Sequence, residues 1–153
     1  MVGGSEMDGN SLTSIAKENP SEFVLLAVSL SLKNTWGPTA NVALYSSGKE
    51  LGKSLNLDFR NVGSLEEAFS EIEKALNNAW KGRLDGDKLI FEECVLRELY
   101  RRGGIQSSEP LPTCYFHMGF CAGMLEKILS KKVNLKVLSK GPLSCVEQII
   151  IEE

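Results

Sequence analysis

The sequence predicts an α+β domain in which helices pack on one face of a four-stranded antiparallel sheet. Two observations point there. Apolar residues recur at helical spacing through the first half of the chain and again over residues 113–129. Stretches that alternate apolar with polar residues lie on either side of that later helix. Each is interrupted by a turn signal, Asp85-Gly86 in one and Lys140-Gly141-Pro142 in the other, so each reads as a hairpin.

At 153 residues the chain fits one domain, and a domain of that size buries roughly 70% of its unfolded surface. With 42% hydrophobic and 24% charged residues it has the balance of a globular protein that builds a core without staples. The formal charge is −3, and the basic clusters are short: Arg101-Arg102 and Lys131-Lys132. Neither makes the basic face that nucleic acid or an anionic membrane requires. The opening "MVGGSEMDGN" has no positive start followed by an apolar run, so no secretory signal is expected. The most apolar stretch, "FVLLAVSLSL", falls short of the about 20 residues that span a bilayer. A cytoplasmic protein without membrane insertion is expected, its cysteines serving as thiols, metal ligands or core fillers rather than disulfides.

Residues 1–20, opening on the polar, Gly-rich Met1 to Asn10, are expected to be disordered or extended, and residues 21–153 to form a single domain. The first helix, "SEFVLLAVSLSLKNTW", follows Pro20, with Ser21 as its cap and Glu22 in its first turn. Gly37-Pro38 ends it. Helical spacing resumes from Thr39 to Leu55, with Val42, Leu44, Tyr45, Leu51 and Leu55 on one broad face. Gly48 and Gly52 share one side of that helix. Each costs about 1 kcal/mol relative to alanine, so close contact with another backbone or with a ligand is expected in return. Ser64 and Glu67 form a capping box for the next helix, whose stripe is Leu65, Ala68, Phe69, Ile72, Ala75, Leu76 and Trp80. The first hairpin follows, and its second arm runs through Leu89, Phe91 and Cys94 to an indistinct end. "ELYRRGGIQSSEPLP" reads as a loop, the helix from Thr113 comes next, and the second hairpin closes the chain.

"TCYFHMGFCAGMLEKIL" carries Cys114, His117 and Cys121, two of the four cysteines and the only histidine. On a helix Cys114 and Cys121 stand two turns apart, roughly 10.5 Å along the axis. All three cannot hold one zinc unless the helix begins after Cys114, because zinc ligands lie about 2.0–2.3 Å from the ion. A metal site here needs donors from elsewhere, and Cys94 and Cys145 are available. The same stretch also fits a core-facing stripe of His117, Phe120, Cys121, Met124, Leu125 and Ile128. A reactive thiol at Cys114 or Cys121 is the third use the spacing allows. No third group or oxyanion site for a Cys–His pair can be identified. Phosphate loop, dinucleotide fingerprint and zinc-protease helix are absent too. No catalytic residue is assigned, and an enzyme is the less expected reading.

Three segments in order resemble the 4-vinyl reductase domain family, also described as putative hydrocarbon-binding proteins. "LYSSGKELGKSL" is similar to the family's early helix with its Gly-x-x-x-Gly pair. "CYFHMGFCAGML" resembles its cysteine-bearing helix through Cys114, Gly119, Phe120 and Gly123. "SKGPLSC" is similar to its closing turn, where a glycine precedes Cys145 by four. The resemblance implies an α+β fold related to small subunits of vesicle-tethering complexes. It also implies an apolar pocket for a small hydrophobic or aromatic molecule, a homodimer, and in some members a sensory role with zinc held by cysteines and a glutamate. Cys114 and Cys145 match two of those zinc positions. The third family cysteine and the glutamate have no counterpart in "LKVLSKG". Cys94 could replace that sulfur, with His117 or Cys121 as a fourth ligand. The pocket is expected between the glycine-bearing helix and the sheet, lined by Tyr45, Phe91, Phe116, Phe120 and Met124. The rival functions are a ligand-free homodimeric interaction protein and a thiol-based redox sensor or enzyme.

Overall fold

A computed structural model describes residues 9–56, 62–76, 79–105 and 109–153. In chain order the elements are α1 (Gly9–Glu18), α2 (Pro20–Trp36), α3 (Pro38–Ser54), α4 (Leu65–Ala75), β1 (Trp80–Asp85), β2 (Lys88–Cys94), α5 (Val95–Arg102), α6 (Pro112–Leu129), β3 (Lys132–Lys140) and β4 (Cys145–Glu152). The four strands form an antiparallel sheet in the order β1-β2-β4-β3, so the two hairpins meet along β2 and β4. This is the predicted α+β arrangement.

Four elements depart from the sequence reading. Part of the expected disordered N-terminus is helical: α1 spans residues 9–18 and buries Ile15. Residues 1–8 lie outside the described part. The cap of α2 is Asn19 rather than Ser21, its side chain accepting from the Glu22 N–H at 3.2 Å with Pro20 in the first turn. The helix begun by Ser64 ends at Ala75, and Trp80 opens β1 instead of closing the helical stripe. Ser64 does cap it, accepting from the Glu67 N–H at 3.1 Å, while Glu67 reaches back to the Gly63 N–H at 2.7 Å. The stretch after Cys94 turns at once into α5, with Leu96, Leu99 and Tyr100 buried. That spacing of three and four is helical, but the strand before it masks the change of period.

Helices α3 and α6 touch backbone to backbone. A methyl group added at Gly48 or Gly52 would stand 2.2 Å from the Phe116 carbonyl oxygen or 2.3 Å from that of Phe120. Added at Gly119 or Gly123, it would stand 2.0 Å from the carbonyl of Tyr45 or 2.1 Å from that of Lys49. Each helix therefore brings a small-x-x-x-small pair to the other, and close helix packing accounts for both.

Beside this contact lies a polar cluster. Glu126 of α6 accepts from Lys49 at 2.8 Å and from Lys53 at 2.9 Å, both on α3. It also accepts from the Val133 N–H at 3.0 Å, while the Tyr45 hydroxyl accepts from the Leu135 N–H at 2.9 Å. Those amides lie on the free edge of β3. At the opposite edge Glu73 of α4 accepts from the Gly82 N–H of β1 at 2.7 Å. Side chains thus occupy edge donors that could otherwise pair with another chain.

Two apolar clusters result. One fills the space between α6, α4 and the sheet, around Phe69, Ile72, Leu89, Phe91, Met118, Met124, Leu125, Val133 and Ile149. The other joins α1, α2 and α5 around Ile15, Leu26, Leu30, Leu96, Leu99 and Tyr100, with Cys94 and Cys114 packed against it.

Two outcomes are expected. Gly119→Ala should cost about 3 kcal/mol in urea unfolding, because its methyl group meets backbone that cannot step aside; a loss below about 0.5 kcal/mol would contradict the close contact. Glu126 supplies an acid-sensitive part of stability. Burial alone would raise its carboxyl, but hydrogen bonds from Lys49, Val133 and Lys53 outweigh that and hold it at about 2, below the ordinary 4.5. That stabilisation is complete above pH 4.5 and is lost as pH falls toward 2. The urea midpoint of Glu126→Gln should therefore fall less over that range than the parent's.

Candidate functional site: a cysteine-lined cavity beside an open groove

The two apolar clusters meet at a cavity of about 30 Å³ lined by Cys94, Cys114, Cys145, His117, Glu147 and Lys140, with Phe91, Met118 and Val137 among its apolar walls. Strand register brings the first donors together. Cys145 pairs opposite Phe91 and Glu147 opposite Leu89 across β2 and β4, so both point toward α6. Cys94 ends β2 and stands at the N-cap position of α5 without a capping hydrogen bond from its side chain. Cys114 stands in the first turn of α6, with His117 one turn later.

Burial dominates the electrostatics. It pushes the Cys94 thiol up and the Cys114 thiol up to about 11. It lifts the Glu147 carboxyl, 4% exposed, to about 8 and drops the His117 imidazole to about 3. At neutral pH His117 is neutral, stacked on Trp80 with ring centres 4.1 Å apart and edge-on to Phe91 at 5.0 Å. Its Nε2 lies 3.3 Å from Cys121 Sγ. The Glu147 Oε2 is buried without a hydrogen-bond partner among the described residues. Such an orphan costs stability unless something binds there. From outside, Arg97 of α5 donates to the Phe91 carbonyl at 3.3 Å, to the Glu92 carbonyl, and to Cys145 Sγ at 3.6 Å.

The donor set suits zinc in kind, since thiolates and a carboxylate are among its ordinary ligands. In the described arrangement no three His, Cys, Asp or Glu side chains stand at the spacing that holds one ion. A space of about 30 Å³ is the share of one water molecule in the liquid. It suits an ion or a water and is far smaller than the roughly 150 Å³ that holds benzene.

Of the five metal candidates read from the sequence, four line this cavity. Cys121 does not; it is buried against His117. Of the five ligand candidates, Phe91 lines it. Phe120 and Met124 are buried in the core, Tyr45 packs at its margin, and Phe116 is half-buried on α6 with its ring 6.4 Å from that of Phe120. Glu147, Arg97 and Lys140 escaped the sequence reading. Glu147 was findable, because Cys145, Glu147 and Ile149 alternate onto one strand face.

Outside the cavity lies an open groove of about 1120 Å³ between α5, the end of β2 and the β3–β4 turn. It shares Cys94 and Lys140 with the cavity. Val95, Tyr100, Ile105, Pro142 and Leu143 supply apolar surface, with Leu143 83% exposed.

Raised thiols make poor nucleophiles, because the thiolate is the reactive form. At pH 7.5 Cys114 should react with iodoacetamide about 100-fold more slowly in the folded protein than in the urea-unfolded chain. Equal rates would show that burial does not control it.

No family model matches the chain. It is 30% identical over 129 residues to an uncharacterised protein of Methanocaldococcus jannaschii, a match covering 78% of this chain and 69% of that protein. A crystal structure of a vinyl-4-reductase family protein from Methanocaldococcus jannaschii aligns with a TM-score of 0.54 at 21% identity, covering 94% of this chain and 92% of that one. The phenol-responsive sensory domain of the transcription activator PoxR, solved with phenol, aligns at a TM-score of 0.49 and 13% identity over 92% of this chain and 88% of that one. The chain belongs to one family with the archaeal protein, and its fold is that of the vinyl-4-reductase family, as the three sequence motifs led us to expect.

Proposed function

We propose that this protein is a small-molecule-binding module that takes a hydrophobic guest in the groove and a zinc ion in the cavity behind it. The observation that supports it best is the convergence of Cys94, Cys114, Cys145 and the orphaned Glu147 on one buried space, walled off from a groove of ligand size by shared residues. Small-molecule sites commonly combine an apolar lining with a few convergent polar groups. The groove's about 1120 Å³ is just above their usual range of about 300–1,000 Å³.

Cys94, Cys114 and Cys145 would hold the ion with Glu147 as fourth ligand. Zinc so held acts as a clamp, its charge stabilising the thiolates that burial disfavours. Those residues tie the end of β2, the first turn of α6 and the start of β4 together. A guest resting on α5, β2 and the β3–β4 turn would bias how these elements sit, which is what a sensory module needs. Nothing in this reading requires covalent chemistry. The redox alternative is disfavoured by the raised Cys94, Cys114 and Cys121 thiols.

One observation favours a second reading, a homodimeric interaction protein without a guest. Val24, Leu25, Val28 and Trp36 leave apolar surface exposed along α2 and its end, and clustered surface of that kind marks protein interfaces.

Native mass spectrometry of untagged protein, with elemental analysis of the same sample, tests the proposal. A co-purifying hydrophobic small molecule and about one zinc per chain are the expected results. A clean, empty dimer with less than about a tenth of an equivalent of zinc would reject both parts and favour the second reading.

A further inference from the structure

We infer that the guest of the groove is anionic: an apolar molecule bearing a single carboxylate or sulfonate, held at Arg97 and Lys140. This rests on the groove being the guest site proposed above and adds the chemical class of the guest.

The charge pattern carries it. Among the described residues, each carboxylate that lines the groove has a cation beside it. Glu22 pairs with Arg102 and Glu98 with Arg101 at 2.6 Å, both pairs within the groove lining. Glu92 pairs with Arg83 at 3.1 Å and Glu93 with Lys81 at 3.3 Å, cations that lie outside it. Arg97 and Lys140 also line the groove, and neither forms an ion pair with an acidic side chain among the described residues. The lining's formal charges balance, four against four, but these two cations have no carboxylate within ion-pair distance on that wall.

Both are positioned by neutral groups. Arg97 is oriented by the Phe91 and Glu92 carbonyls and by Cys145. Lys140 donates to the Glu109 carbonyl at 2.9 Å and sits 5.5 Å from the centre of the Tyr100 ring. Carbonyls and a ring face hold a cation in place without cancelling its charge, so each can still attract an anion. A guanidinium with N–H groups to spare is also suited to a planar carboxylate or a sulfonate. Glu147, the carboxyl in the cavity behind them, makes no hydrogen bond to either through Oε2.

The apolar half of the guest has its own surface. Val95 is 51% exposed and Leu143 83% exposed, and both lie on the same groove as the two cations. Neither exposure serves the core. A molecule with an apolar body and one negative end would cover both features together, whereas an uncharged hydrocarbon would leave the cations unpaired and partly desolvated.

A matched probe pair isolates the charge. 1-Anilinonaphthalene-8-sulfonate and N-phenyl-1-naphthylamine share an aromatic skeleton and differ by the sulfonate, and both brighten on entering apolar surroundings. Fluorescence titration of the protein as isolated should show the sulfonate binding at least about tenfold tighter, an advantage that shrinks with added salt. Lys140→Gln and Arg97→Gln should each weaken the sulfonate by about tenfold and leave the neutral probe within about twofold. Lys140 is half-buried at the end of β3 and holds fewer backbone groups than Arg97, so its variant stays informative if Arg97→Gln proves unstable. Equal binding of the two probes, or a preference that survives both substitutions, overturns the anionic guest while leaving a binding groove in place. Failure of both probes to bind removes the groove as the guest site, and the inference with it.

Discussion

The contact on which the rest of the molecule depends is the approach of α3 to α6 with no side chain between them. Four glycines make it possible, and each faces a carbonyl of the opposite helix that a methyl group would strike. At that separation the two helices act as one rigid slab, gaining many dispersion contacts that are individually small. Its consequence is positional. Helix α6 is fixed from behind by α3 while its other side lies on β3 and the core of the sheet. Cys114 and His117, on its N-terminal half, thereby acquire fixed positions relative to Cys145 and Glu147 on β4. A looser pair of helices would leave the depth of the cavity undefined.

The polar cluster beside that contact does a related job. A four-stranded sheet has two free edges, and here side chains reach both. Tyr45 and Glu126 accept from amides of β3, and Glu73 accepts from β1. The helices are thus tied to the sheet by direction-specific bonds as well as by apolar area. Hydrophobic burial is non-directional and would tolerate some sliding of α3 along β3. A hydroxyl and a carboxylate fitted to single amides tolerate much less. The position of the cavity follows from both.

Most of the architecture was legible in the sequence, because it rests on periodicity and turn chemistry. The Ser64 cap and the alternation of Val133 and Leu135 each carry a local signal that tertiary structure then obeys, and the first hairpin turns one residue later than Asp85-Gly86, on Gly86-Asp87 between paired Asp85 and Lys88. The paired glycines forecast a close approach, though the partner, α6, had to come from the fold. The misses have physical causes. α5 begins directly after β2, so a window spanning the junction mixes a period of two with one of 3.6. Trp80 completes a helical stripe on paper, yet it stacks on His117 from the end of a strand, a long-range choice that local spacing cannot register. The family pattern points to Cys114 and Cys145 alone, Cys94 enters only as a replacement sulfur from the neighbouring hairpin, and all three line one cavity. Glu147 was overlooked because an acidic residue amid "CVEQIII" reads as the solvent side of a strand. The register shows it facing inward, paired with Leu89.

That inward carboxyl exposes the logic of the site. Burial favours the uncharged form of four donors around the cavity: the Cys94 and Cys114 thiols and the Glu147 carboxyl protonated, the His117 imidazole neutral. Such an arrangement is stable but leaves Glu147 short of a partner. Ionising any one of these four works against its burial. Several can ionise together only around a cation that offsets all of them at once. At the rim of the cavity, Arg97 and Lys140 are where such charge would be felt from the groove. A guest bearing a negative end and an ion behind the wall would then interact through the same two side chains, which couples the groove and the cavity without any change of fold.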